Sequence, residues 1–257
     1  MVSGMQAFVD AIFNPVFGWL LNVPPIVAIL CLSAVLGLIS VLLQKFMTNQ
    51  AKMRRLRDDT KKYQEQMKKL RDDPEKLMKM QQKVLPIQME LMKESFKPLL
   101  VTILPFLLVF FWLSTHFAFF PVEPNTPFVV SATFQKGIGG TATLGGAPEL
   151  AIEQPAQAVK DGMAKWVVHG PAGEYDLNMT FAGATFERKV LITTEREYLQ
   201  PVMPLSGTVT SFNVENKKLT PLGDNFNLFG WYPGWIFYYI VLSIPLSLLF
   251  KKLFNVV

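Results

Sequence analysis

Few residues in this chain could carry covalent or metal chemistry. Two histidines, His116 and His169, and one cysteine, Cys31, are the only soft ligands, too few to frame a usual zinc site. No stretch matches a nucleophile turn, a phosphate loop or a dinucleotide fingerprint, so no catalytic residue, metal or cofactor is expected and the chain reads as a non-enzyme. The polar groups that invite attention instead lie inside apolar runs. Ser33, Gly37, Ser40 and Gln44 recur at helical spacing on one face, with Lys45 next in sequence. Tyr239, Ser243 and Ser247 share a face of a second run, and Thr102 lies in a third. Ser33 and Gly37 suit close helix packing. Ser40, Gln44, Thr102, Ser243 and Ser247 fall at one depth, where an amide facing lipid would be costly; with Lys45 at its mouth, they predict a wetted, hydrophilic groove. Cys31 is expected to be a buried structural thiol.

The elements that would position these groups are long and apolar. The chain has 257 residues, half of them hydrophobic and 18% charged, a balance that excludes one soluble domain of this size. Three runs, 26–43, 98–120 and 231–250, contain no Lys, Arg, Asp or Glu, and each approaches the roughly 20 residues that a helix needs to cross a bilayer. Residues 1–24 lack Lys and Arg, unlike the basic start of a signal peptide, so the first run is expected to stay in the mature protein. Met5, Phe8, Val9, Ile12 and Phe13 follow helical spacing and predict a short amphipathic helix in the outer interface. Residues 45–97 carry a net charge of +7, residues 121–230 a net charge of −3. Short basic loops stay in the cytoplasm. This orients the chain with its N-terminus outside and its C-terminus inside: spans at 25–44, 98–120 and 231–250, a cytoplasmic segment at 45–97, an extracytoplasmic domain at 121–230 and a cytoplasmic tail at 251–257. The basic loop carries no nucleic-acid motif, and no specific nucleic-acid site is predicted.

The first span is expected to continue as helix beyond Gln44, since no Gly or Pro intervenes before Pro74. Phe46, Asn49, Met53, Leu56, Thr60, Tyr63, Met67 and Leu70 step by three and four, the pattern of a coiled-coil seam. Asp73 is placed to cap a second arm that opens on Pro74. Leu77, Met80, Val84, Ile87 and Leu91 repeat the seam there, predicting an antiparallel coiled-coil hairpin of roughly 40 Å at 1.5 Å per residue. Pro86 is expected to bend this arm. A second stripe, Met78, Leu85, Met89, Met92 and Phe96, is left over. Seven of the twelve methionines lie in this segment, and thioether side chains adapt to apolar partners of varied shape. The stripe therefore reads either as a surface for many hydrophobic segments or as a face resting on lipid.

Residues 128–222 alternate in the manner of short strands: FVVSATF, ELAIE, AKWVVHG, YDLNMTF, ATFERKVLITT and GTVTSF, separated by turn residues. Ala182-Gly183 predicts a hairpin, and the whole a small sandwich. Asn178 begins a glycosylation sequon, though its strand position argues against use. The fold class is thus an α-helical membrane protein of three transmembrane helices with a coiled-coil hairpin and an inserted all-β domain.

This arrangement resembles the YidC/Oxa-type membrane protein insertases, and among them the archaeal YidC-like proteins. The segments LLQKFMTNQAKMRRLRDD and MQQKVLPIQMELMKESFKPLL, with the second span, carry the resemblance over about residues 20–120 and 231–257. It implies a plasma-membrane insertase or chaperone whose groove, open to cytoplasm and lipid, accepts the polar tails of nascent membrane proteins. By position Lys45 and Gln44 take the place of the groove's basic and polar residues. Nascent membrane proteins, the ribosome or translocon, and the lipid bilayer are the implied partners. A membrane sensor, with an outer ligand-binding sandwich and a coiled-coil relay, is the alternative.

Overall fold

A computed structural model describes residues 2–70, 73–224 and 226–256. Arg71 and Asp72 of the expected turn lie outside the described residues. The chain divides into two compact units, one made of residues 1–25 and 111–235, the other of residues 26–110 and 236–257.

Among its described residues the first unit holds α1 (Val2–Phe17), a 3-10 turn (Gly18–Asn22), and nine strands. These are β1 (Phe128–Phe134), β2 (Thr141–Gly146), β3 (Ala151–Glu153), β4 (Ala156–Ala158), β5 (Met163–His169), β6 (Gly173–Phe181), β7 (Ala184–Ile192), β8 (Val202–Pro204) and β9 (Val209–Glu215). They form a five-stranded sheet in the order β3-β5-β1-β9-β8 and a four-stranded sheet in the order β4-β2-β6-β7. Period-two burial drives this assembly: Ala164, Trp166 and Val168 on β5, and Leu177, Met179 and Phe181 on β6, all turn into one core. The β6–β7 hairpin turns at Ala182-Gly183 as expected, both with positive φ (49° and 81°), the geometry of a type I′ turn. Strands β2, β4 and β8 went unforeseen, and ELAIE shrinks to the three residues of β3. The reason is composition: Thr141–Gly146 ends in two glycines and reads as a turn, yet pairs with β6 from Thr143 to Gly146.

One core residue breaks the apolar rule. Arg188 on β7 is buried, and its guanidinium donates to the carbonyls of Phe212 on β9 and of Gln200, joining the two sheets by polar bonds. Burial pushes its pKa down to about 10, so it remains cationic at neutral pH.

The second unit is helical. It contains α2 (Pro25–Met47, from Ile26 onward), α3 (Gln50–Lys69), the first part of α4 (Pro74–Phe117) and most of α5 (Trp235–Phe254). Three of these helices, α2, α4 and α5, are long and apolar enough to cross a membrane. The expectation of an unbroken helix through residue 49 is corrected: α2 stops at Met47. Thr48 Oγ1 donates back to the Gln44 carbonyl (2.6 Å), and Asn49 accepts from the Lys52 backbone N–H (3.0 Å) as the cap of α3. Short polar side chains that bond nearby backbone end helices without Gly or Pro. Asn49 thus leaves the seam, as does Phe46, which is 80% exposed.

Helix α4 is continuous through Pro86, Pro98 and Pro105 for 44 residues, about 66 Å at 1.5 Å per residue, so the second arm and the second span are one element. Helix α5 starts at Trp235, four residues later than the expected span, because Pro233 and Gly234 interrupt it. It runs on through Lys251 and Lys252 and ends where Asn255 adopts φ 60° and Val256 N–H donates to the Lys251 carbonyl (2.9 Å), a left-handed helix stop. Cys31 is only partly buried, a correction to the buried thiol. A small apolar side chain on a lipid-crossing helix needs no protein cover.

Candidate functional site

The described seam positions on α3, Met53, Leu56, Thr60, Tyr63 and Met67, are buried or half-buried while their neighbours in the pattern are exposed, and Leu77, Met80, Val84, Ile87 and Leu91 on α4 do the same. Lys52 on α3 pairs with α4: its ammonium lies 2.6 Å from Glu90 and 3.2 Å from Glu94. Glu94 also pairs with Lys97 at 2.9 Å. Lys97 and then Lys52 hold the Glu94 carboxyl below the usual carboxylate range, and Glu90 and Glu94 raise Lys52 above the usual lysine value.

Beside these positions, Met78, Leu85, Met89, Met92 and Phe96 are 47–62% exposed. They form one face of α4 that continues into Leu99, Leu100, Ile103, Leu104 and Leu107, also exposed. An apolar track thus runs along one unbroken helix from the charged arm into the span. Beside the turn, Met67, Met78, Val84 and Leu85 with Gln81, Gln82 and Gln88 line a recess of about 510 Å³.

The polar set is only partly assembled. Gly37 faces Ser247 and Phe250 closely, so that a Cβ added there would lie 3.6 Å from Ser247 Oγ, and Lys45 Nζ sits 5.8 Å from the Phe254 ring centroid. These contacts bring α2 and α5 together as parallel helices. Ser40 and Gln44 are half-buried and Lys45 exposed; the Gln44 carbonyl also accepts from the Gln50 amide (3.1 Å). Thr102 is buried but donates to the Pro98 and Leu99 carbonyls of its own helix (3.0 Å each), and Ser243 donates to the Ile240 carbonyl (3.1 Å). Ser33 is fully buried with its hydroxyl unpartnered. Asn178 is exposed but central in its sheet, paired with Gly145 on β2 and Glu187 on β7.

Sequence reasoning missed a second polar cluster, in the β-domain unit. His116, near the end of α4, is fully buried; its Nδ1 lies 2.9 Å from the Arg196 carbonyl and its Nε2 3.0 Å from Asp10 Oδ1 on α1. The carbonyl can only accept, so Nδ1 carries a proton. Arg196 donates to the Val23 carbonyl (3.1 Å) and lies 5.1 Å from the Phe117 ring centroid; burial lowers its pKa. Trp112 Nε1 donates to Asn14 Oδ1 (2.8 Å), and Tyr198, pushed up to about 12 by burial, donates to the Ser114 carbonyl and accepts from Ala118 N–H (3.1 Å). The cluster fastens α1 and the end of α4 to residues 196–198. A signal was available: Asp10 is the sole charged residue among the first 44.

Residues 10–141, which run from α1 through both arms and the continuous α4 to the start of β2, match the model of the family described as integral membrane protein EMC3/TMCO1-like. The chain belongs to the EMC3/TMCO1-like family. That family falls broadly within the Oxa1/YidC/Alb3 insertase superfamily, so an insertase-related membrane role and membrane-protein clients follow for this EMC3/TMCO1-like chain at that level. No curated protein and no solved structure matches it.

Proposed function

We propose that this EMC3/TMCO1-like protein is an insertase of the archaeal YidC-like kind in the plasma membrane, receiving hydrophobic segments of nascent membrane proteins from the cytoplasm. The observation that carries the reading is the exposed apolar track on α4, from Met78 through Phe96 into the span. A client helix slides along it without leaving an apolar surface. The α3–α4 pair serves as a cytoplasmic coiled-coil hairpin, oriented inward by its net charge of +7, and the ribosome or translocon delivers clients to it.

The groove of Ser40, Gln44, Lys45, Thr102, Ser243 and Ser247 hydrates the client's polar tail, and Lys45 at its mouth attracts acidic ones. Each charged residue costs on the order of 3 kcal/mol at the bilayer centre, so shortening the apolar path is the catalysis required. The half-buried state of Ser40 and Gln44 and the contact of Gly37 with Ser247 support a junction of α2 and α5 as its floor.

A photocrosslinker at Met89 or Met92 should capture nascent membrane segments, while one at the exposed Lys62 should not. Equal adducts at the three sites, independent of client, would reduce the stripe to a lipid-facing surface and favour the sensor. In reconstituted liposomes, Ser40→Leu with Gln44→Leu should slow clients with polar tails, and Lys45→Glu should slow acidic-tailed clients most. Wild-type rates for a matched pair of clients differing only in tail charge would remove the groove from the mechanism.

A further inference from the structure

The stretch of the β-domain unit that leads into α5 carries no Asp, Glu, Lys or Arg after Asp224 and is dense in rings. Leu228 and Trp231 bond to each other through both backbone N–H groups, at 2.8 and 3.0 Å, closing a two-residue turn of Phe229 and Gly230. Both have positive φ, 53° and 86°. Such a turn asks for Asn, Asp or Gly at its first position, and a bulky aromatic residue there is a backbone outlier. The strain is not repaid by packing, since Phe229 is 107% exposed. Trp231 and Tyr232 beside it are about half-exposed.

The turn is also tethered. Five residues separate Phe229 from Trp235, the first residue of α5, so its backbone lies within roughly 20 Å of the start of that span even when fully extended. We propose that residues 228–232 are a membrane anchor: the Phe229 ring enters the lipid of the leaflet in which α5 begins, and Trp231 and Tyr232 lie at headgroup level. Lipid is the apolar phase that the tether keeps within reach, whereas neither a client nor a second copy is fixed at that depth. Aromatic side chains with a polar edge favour that interface. The anchor requires only that α5 spans the membrane and is independent of the insertase reading.

The test uses the full chain with Cys31→Ser and a single Cys at Phe229, labelled with an environment-sensitive fluorophore and reconstituted into phosphatidylcholine liposomes. The same probe at the exposed Lys136 is the reference, because that residue follows the end of β1 opposite Phe128. The 229 probe should emit to the blue of the 136 probe and be quenched several-fold more by lipid brominated near the headgroup. Emission and quenching equal to those at Lys136 would overturn the anchor. A blue shift without lipid quenching would overturn it too, showing a protein occupant. Phe229→Gly, which suits the positive φ, should leave the melting temperature in detergent unchanged or higher while raising hydrogen exchange at Leu228 and Trp231 in liposomes. Unchanged exchange there would also sink the idea.

Discussion

At the scale of single residues, the most constrained group is His116. Its ring is fully buried between two acceptors, a carbonyl oxygen and the Asp10 carboxylate, and the second contact needs one further proton, on the ring or on the carboxyl. An asparagine amide at position 10 can donate to Nε2 of a ring protonated on Nδ1, and so preserves the contact. Asp10→Asn should therefore fold with near-native stability. Asp10→Leu leaves a buried ring nitrogen unpaired and should cost about 1–3 kcal/mol, with α1 more exposed to protease. Equal melting temperatures for the two variants in detergent would show that the contact contributes nothing. Arg188 obeys the same logic inside the sandwich. Arg188→Ala strands the Phe212 and Gln200 carbonyls and should destabilise the β-domain by about 2–4 kcal/mol, read as a lower unfolding temperature by circular dichroism.

At the scale of elements, the ties between α3 and α4 set a pH window. Glu94 is held below its ordinary value of 4.5, first by Lys97 and then by Lys52, so its contribution is present above that value and is lost as pH falls through the depressed one. Lys52 is raised above 10.5, first by Glu90, so its share is complete below 10.5 and fades as pH rises through the raised value. The pairing of the arms should be flat across neutral pH and weaken in acid, and Glu94→Gln should shrink the acid limb while the Lys52–Glu90 pair remains. Spin labels on cysteines placed at the exposed Lys62 and Lys83, which leave the Lys52, Glu90 and Glu94 pairs intact, would report the opposite if their distance distribution stayed constant down to pH 3. The burial pattern of α3 and the first part of α4 was legible in advance because one period governs both. The break at Thr48-Asn49 was not, since it rests on side-chain-to-backbone bonds that compete with a helix only once formed. Likewise β2 was hidden because its glycines are tolerated by pairing with β6, while β6 and β7 announced themselves by alternation. Of the residues proposed for the groove, Ser247 lies beside Gly37, whereas Thr102 satisfies itself within α4, an outcome that spacing alone does not distinguish.

At the scale of the whole molecule, we propose one orientation from three apolar helices and an asymmetric charge distribution. The +7 of residues 45–97 and the −3 of residues 121–230 lie on opposite sides of any arrangement in which α2, α4 and α5 each cross once. Helix α4 bears on this proposal, because the helix that begins in the basic arm is continuous from Pro74 to Phe117 and would supply a single crossing. In the proposed orientation Lys251 and Lys252, in the last turn of α5, would share a side with the basic arm, as the positive-inside bias requires. Single cysteines in a Cys31→Ser background should react with an impermeant maleimide from the cytoplasmic face at Lys62 and from the outer face at Lys165, both exposed. Replacing Lys251 and Lys252 with Glu should leave that pattern intact, since fifteen Lys and Arg remain in residues 45–97 and dominate the bias. Labelling of Lys62 and Lys165 from the same face would mean that α4 does not cross, and the track from Met78 to Leu107 would then lie along one surface of the membrane with no route through it.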